Sequence, residues 1–143
     1  MFFGKQLYGF KILLNLKINT TLTLTNFGAM VKLSVHILTY NSEAFISRCL
    51  SSIIEQQTNF PYEIVIGDDA STDKTVDIIN SYTNILDKIK LKIHDSNLGV
   101  LNNFIDTLQR CNGKYIFDIA GDDWLSDPYA SNLGGWTGSK SKF

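Results

Sequence analysis

Two pairs of adjacent carboxylates, Asp68-Asp69 and Asp122-Asp123, are the residues of this sequence best suited to do chemistry. Each pair comes at the end of a short apolar run, and like charges held side by side favour a cationic partner. A divalent cation prefers such hard oxygen ligands, and one or two carboxylates leave its other positions to phosphate oxygens. A metal ion held here would act as a Lewis acid and stabilise the charge that develops on a diphosphate leaving group.

A third polar group, Thr39-Tyr40-Asn41, follows another apolar run. The ring of Tyr40 offers a flat face for a nucleotide base, and Asp69 offers an acceptor for a base N–H or a ribose hydroxyl. Each group alone also has a structural explanation, because acidic pairs occur in turns and helix caps and a tyrosine packs on a neighbouring helix. Their joint placement after successive apolar runs favours a binding site. His36, inside an apolar run, is predicted to be a buried structural histidine.

Regular elements must position these groups. Apolar segments rich in β-branched residues predict four strands, at 33–38, 64–66, 89–93 and 115–119. Apolar residues with the spacing of an amphipathic helix predict three helices between them, at 45–54, 76–86 and 101–108. Asn41 or Ser42 is predicted to cap the first helix, and Asn112-Gly113 to end the third.

Strands that alternate with single helices pair in parallel through right-handed crossovers. The predicted fold class is therefore α/β, with a Rossmann-like, doubly wound and mainly parallel sheet. The carboxyl ends of such strands meet at one edge of the sheet, where open sheets of this kind bind ligands. The polar groups at 39–41, 68–69 and 122–123 all follow predicted strands, so we expect them to share that edge.

The composition is that of one globular domain: 143 residues, 44% hydrophobic, with a net charge of −1. This charge predicts no general attraction to nucleic acid. Residues 1–29 carry +3, residues 30–129 carry −6 and residues 130–143 carry +2. We predict a domain over 30–128, an N-terminal extension over 1–29 and an irregular tail over 129–143. The two cysteines, Cys49 and Cys111, are predicted to be buried or half-buried thiols in a reducing compartment.

Five blocks of the sequence, in this order and spacing, resemble family 2 glycosyltransferases: SVHILTYN at 34–41, YEIVIGDDASTD at 62–73, NLGV at 97–100, GKYI at 113–116 and GDD at 121–123. The resemblance implies a GT-A fold, of which this chain holds the N-terminal, nucleotide-sugar-binding part. It also implies a nucleotide-sugar donor, commonly a UDP-sugar, with a Mn or Mg ion and inverting transfer to an acceptor hydroxyl. A glycan or lipid-linked acceptor in polysaccharide biosynthesis is implied as well, in the cytoplasm or at the inner face of the membrane as a peripheral protein.

The resemblance also carries roles to individual residues. Tyr40, with Thr39 and Asn41 beside it, matches the position that stacks on the base. Asp69 matches the acid that contacts the base, and Asp68 lies next to it. In the last block, the first aspartate, Asp122, matches the residue near the ribose. The second, Asp123, matches the metal-binding acid.

Some residues depart from the family pattern. Leu38 replaces a common proline, Ala120 replaces an acid often found before the final aspartate pair, and residues 101–103 lack the usual Arg or Lys. No residue matches the catalytic base, which the family's acceptor-binding half supplies. We therefore expect a glycosyltransferase truncated to its donor half, and the alternative is a non-catalytic nucleotide-sugar-binding fragment. A signalling receiver domain fits poorly, because its acidic pair would fall where this chain has Leu38 to Asn41.

Overall fold

A computed structural model describes residues 31–127 of the chain. Strands and helices alternate in the predicted order: β1 (Leu33–Thr39), α1 (Ile46–Ile54), β2 (Tyr62–Asp68), α2 (Thr75–Thr83), β3 (Ile89–Ile93), α3 (Val100–Gln109) and β4 (Tyr115–Ala120). The α/β prediction is confirmed. The extension predicted at 1–29 and the tail predicted at 129–143 lie outside the described residues. No helix within 31–127 has the length and apolar character needed to cross a membrane.

The four strands form one parallel sheet in the order β3-β2-β1-β4. The first two connections carry the chain outward from β1 to β3, and the third returns across the sheet to β4. Because the connections run in opposite directions, β1 and β4 lie side by side at a topological switch point. Crevices at such points are where doubly wound sheets bind ligands.

The two faces of the sheet differ in character. One face carries the apolar core, in which alternate residues of β1, β2 and β4 pack on α1 and α2. Fully buried members of that core include Ile37, Ile46, Leu50, Ile64 and Ile79. Sequence periodicity predicted these elements well, because apolar side chains two residues apart in a strand and three or four apart in a helix share a face.

The opposite face, beneath α3, is polar. Glu63 accepts hydrogen bonds from Ser34 Oγ, Lys90 Nζ and the backbone N–H of Asn112, each at 2.6 Å. Burial opposes ionisation of Glu63, but these hydrogen bonds outweigh it, and the pKa of the carboxyl falls below its usual value. The backbone N–H of Gly113 donates to Ser34 Oγ at 2.8 Å. This network fastens the end of the α3 segment to the sheet.

His36 lies on this polar face and is fully buried. Its Nδ1 is 2.5 Å from Asp118 Oδ1, and its Nε2 is 3.3 Å from the carbonyl oxygen of Phe104. These contacts link β1 to β4 and to α3, and they agree with the structural role predicted for this histidine.

Three local predictions were wrong. The helix α1 begins at Ile46, after a turn in which the carbonyl of Ser42 accepts from the N–H groups of residues 45 and 46, so neither predicted residue caps it with its side chain. Helix α3 ends at Gln109 with Arg110 as its C-cap, and Asn112 and Gly113 bind Glu63 and Ser34 instead of closing the helix. Strand β2 runs from Tyr62 to Asp68, longer at both ends than the strand predicted at 64–66.

Candidate functional site

The carboxyl ends of all four strands meet at one edge of the sheet, as predicted. Backbone hydrogen bonds continue the strand pairing just past the strand ends: Asp69 N donates to Thr39 O at 3.0 Å, His94 N to Asp68 O at 2.9 Å and Gly121 N to Leu38 O at 2.8 Å. The four following loops therefore leave the sheet at the same level. The structure brings the predicted groups at 39–41, 68–69 and 122–123 to this single edge.

Tyr40 is an exposed aromatic residue at this edge, with half of its surface open to solvent. It lies directly after β1, next to the switch point between β1 and β4. Thr39, one residue earlier, is 3% exposed and packs against Gly121, and its hydroxyl has no hydrogen-bond partner among the described residues. The two neighbours therefore differ: Tyr40 has half of its surface open to solvent, whereas Thr39 lies beneath the turn that follows β4.

Asn41 joins the loop after β1 to the loop after β2. Its backbone N–H donates to Ser71 Oγ at 2.9 Å, and its side-chain Oδ1 accepts from the backbone N–H of Thr72 at 2.8 Å. Asn41 adopts a left-handed backbone, with φ of 47°, a conformation that asparagine tolerates better than most residues. The side chain of Asn41 thus fixes the shape of the edge around Tyr40.

Asp68 and Asp69 are both buried, and both bind loops. Asp68 accepts from the backbone N–H of Ser71 at 2.9 Å and from its hydroxyl at 2.5 Å. Asp69 accepts from the backbone N–H of Leu98 at 2.6 Å and from that of Gly99 at 3.0 Å. A carboxylate offers about four acceptor positions, so Asp69 retains capacity for a ligand while it anchors the loop that precedes α3.

Asp122 and Asp123 lie in the turn after β4, on the other side of the switch point from Tyr40. Asp122 is exposed and Asp123 is half-buried, and the N–H of Asp123 closes the turn on the carbonyl of Ala120 at 3.0 Å. Burial and the adjacent charge of Asp122 both raise the pKa of Asp123. A cation bound here would relieve both effects, because it favours the ionised carboxylate.

The described residues offer part of the ligand set that a hard divalent cation needs. Within residues 31–127 there is no group of three or more His, Cys, Asp or Glu side chains that could enclose a metal ion. Asp122 and Asp123 supply carboxylate oxygens from one turn. Mg²⁺ is commonly held in this way, by one or two carboxylates with substrate phosphates and water completing the coordination.

Sequence reasoning missed a row of polar residues, on α1 and just past its end, that contacts the segment after Asp123. Arg48 and Ser52 lie four residues apart on one side of α1, and Gln56, four residues further along, follows the end of the helix. This spacing was visible in the sequence, but the segment that it contacts was not. In the structure each of the three residues contacts the segment at 124–127.

The chain matches one family model and several known proteins. The family model described as "Glycosyl transferase family 2" matches residues 34–133. Poly(ribitol-phosphate) beta-N-acetylglucosaminyltransferase TarS of Staphylococcus aureus is 34% identical over 102 residues, which are 68% of this chain and 17% of that protein. An uncharacterised Mycobacterium tuberculosis protein is 38% identical over 97 residues, 67% of this chain and 28% of its own. The chain thus spans less than a third of either relative.

Solved structures show the same fold. The S. aureus TarS 1–349 structure in complex with UDP-GlcNAc has a TM-score of 0.64 and 31% identity, and it covers 75% of this chain and 30% of that one. A mannosyltransferase from Pyrobaculum calidifontis, in complex with GDP-Man and Mn²⁺, has a TM-score of 0.61 at 20% identity and covers 71% of this chain and 32% of that one. The second likeness concerns the fold alone.

Proposed function

The chain belongs to glycosyl transferase family 2, and from that premise we propose that its sheet edge binds the nucleotide part of a nucleotide-sugar donor, together with a divalent cation, for glycosyl transfer. The likeness to TarS confirms the predicted GT-A-type fold, here in part. One observation carries the proposal: an exposed aromatic ring, Tyr40, and a carboxylate pair, Asp122-Asp123, flank the switch point between β1 and β4.

In this proposal Tyr40 stacks on the base, and Asp69 uses its remaining acceptor positions for a base N–H or a ribose hydroxyl. Asp122 lies near the ribose, and Asp123 binds the cation. Thr39, Asn41 and Asp68 complete the nucleotide site by shaping it, because they are buried or engaged in loop contacts.

A UDP-sugar is the proposed donor, because the TarS structure at 31% identity is a complex with UDP-GlcNAc. Mn²⁺ or Mg²⁺, when bound, would supply Lewis-acid stabilisation of the diphosphate that leaves. The residues of this chain would orient the donor and hold the two carboxylates of the turn at the sheet edge. Inverting transfer to a hydroxyl of a glycan or lipid-linked acceptor, in the cytoplasm or at the inner membrane face, is proposed from the family resemblance.

Calorimetry and thermal unfolding of the 143-residue chain with UDP, with and without MnCl₂, test the proposal. At a ligand concentration of about one hundred times its Kd, binding stabilises a protein by roughly 2.7 kcal/mol, which is a melting shift of several degrees for a chain of this size. Asp123→Asn should abolish the metal dependence and leave the fold intact. Asp87→Asn, the same change at an exposed position just before β3, is the matched control.

Absence of a shift with UDP and MnCl₂ at millimolar concentration would contradict the nucleotide site. Persistent metal dependence in Asp123→Asn would contradict its role as the metal ligand. UDP release from UDP-sugars then separates the two functions named for the chain. Release stimulated by an acceptor supports transfer, whereas donor binding without such release supports a nucleotide-sugar-binding module.

A further inference from the structure

Three polar residues form a clamp, which we define as Arg48 and Ser52 on α1 together with Gln56, just past the C-terminal end of the helix. The guanidinium of Arg48 lies over the ring of Trp124, 3.6 Å from its centroid. This distance is well within the range of a favourable cation–π contact. The three clamp residues contact the partner segment in chain order, from Trp124 to residue 127.

The other two members of the clamp bind backbone groups. Ser52 Oγ accepts from the N–H of Leu125 at 3.0 Å while it donates to the carbonyl of Cys49 at 2.7 Å, so its hydroxyl has a fixed direction. Gln56 Nε2 donates to the carbonyl of Asp127 at 2.8 Å and to that of Ser52 at 3.0 Å, which uses both of its hydrogens. Gln56 is buried, with 9% of its surface exposed, so these bonds are shielded from water.

The clamped segment begins at the residue after Asp123. On the other side, β4 and the bond from Gly121 N to Leu38 O hold the chain just before Asp122. The acidic turn is therefore fixed at both ends, by the sheet on one side and by α1 on the other. The two adjacent carboxylates repel each other, and the contacts at both ends of the turn oppose their separation.

We propose that Arg48, Ser52 and Gln56 are positioning residues that hold the Asp122-Asp123 turn in the arrangement that binds the cation and the donor diphosphate. The inference rests on the proposed function and deepens it. The residues that take the base, Tyr40 and Asp69, are held by the sheet and by loop contacts that the clamp does not touch. Loosening the clamp therefore lowers the fraction of chains with a competent acidic turn, and apparent affinity falls in proportion to that fraction.

The experiment measures the metal increment, defined as the ratio of the Kd for UDP in EDTA to the Kd in MnCl₂, on the full chain. Ser52→Ala removes one contact of the clamp and should lower the metal increment between about twofold and tenfold, the range that one neutral hydrogen bond is worth. Affinity in EDTA should stay unchanged, and Ser52→Thr, which keeps the hydroxyl, should restore the increment. Ser51→Ala is the matched control, because Ser51 Oγ bonds the hydroxyl of Tyr82 on α2 instead.

A second readout needs no ligand. The sequence has two tryptophans, so Trp136→Phe leaves Trp124 as the single reporter. In that background, Ser52→Ala and Arg48→Ala should increase acrylamide quenching of Trp124 fluorescence, while Ser51→Ala should not.

The outcomes separate the inference from the proposed function. If the wild-type chain shows no metal increment, the proposed function falls and the positioning role falls with it, whatever the quenching shows. If the wild type has a metal increment and Ser52→Ala keeps it in full, the positioning role alone is overturned. An equal loss in Ser51→Ala and Ser52→Ala would also overturn it, since the effect would then belong to the helix as a whole.

Discussion

Replacing Asp69 with asparagine tests how far the site depends on one buried carboxylate. Asp69 is 5% exposed and accepts the backbone N–H groups of Leu98 and Gly99. Hydrogen bonds to a charged group contribute about 1.5–3 kcal/mol each. Asparagine keeps the shape and one oxygen, but its NH₂ group faces one of the two N–H donors. One bond is then lost and the other becomes neutral, so we expect the free energy of unfolding to fall by about 2–4 kcal/mol.

Urea and thermal unfolding measure this change, which corresponds to a fall in Tm of roughly 5–15 °C for a chain of this size. Hydrogen exchange gives a local check, because the amides of Leu98 and Gly99 should lose protection in the variant. The control is Asp95→Asn, the same substitution at an exposed position of the same loop, which should stay within about 0.5 kcal/mol of wild type.

A stability and an exchange pattern equal to those of the control would refute the loop-anchoring role of Asp69. If affinity for UDP also fell in that case, Asp69 would act on the donor alone. The structure instead predicts that stability, amide protection and UDP affinity all decrease together.

Three further predictions concern the elements that support the site. Gly67→Ala should destabilise the chain by about 1–3 kcal/mol in urea unfolding, because a Cβ at Gly67 would lie 1.9 Å from Thr107 Oγ1 and would push α3 off the sheet. The pKa of Glu63 is lowered in the folded state, so its ionised carboxyl stabilises the fold fully at pH values above the usual pKa of 4.5. This stabilisation is lost as the pH falls through the lower folded-state pKa. Glu63→Gln should therefore weaken the dependence of stability on pH in the acid range, measured by urea unfolding at a series of pH values. Burial, and to a smaller extent the charges of Asp123 and Asp122, raise the pKa of Cys49 to about 12. Iodoacetamide at pH 8 should therefore label this thiol only after the chain unfolds, and peptide mass spectrometry detects the label.

The local hydrophobic pattern of the sequence was sufficient to predict the order and type of the strands and helices. The apolar repeats that predicted strands and helices involve residues two to four positions apart, and neighbouring residues in the chain determine them. Alternation of strands with helices then leaves few topologies, and the parallel, doubly wound sheet follows from right-handed crossovers. Tyr40, Asp69 and Asp122, which follow the strand ends, lie at one edge for the same reason.

Helix ends were predicted less well, because side chains that cap a helix in one context bind elsewhere in another. Asn112 and Gly113 fit the pattern of a helix end, but Glu63 and Ser34 on the sheet bind their backbone N–H groups. Those partners lie 49 and 79 residues away in sequence. Capping rules therefore identify residue types that suit a helix end, but they do not identify the hydrogen-bond partners of those residues in the folded chain.

The sequence by itself determined the fold class, the family and the set of polar residues at the strand ends, because periodicity, motif order and topology are all readable along the chain. Tertiary structure alone decided how each residue is used. It buried Asp69 and committed it to the loop at Leu98 and Gly99, left Tyr40 half exposed, and laid the segment after Asp123 along α1. The physical reason is that a hydrogen bond or a stacking contact depends on distance in space, and residues 52 and 125 become neighbours only when helix and sheet have packed.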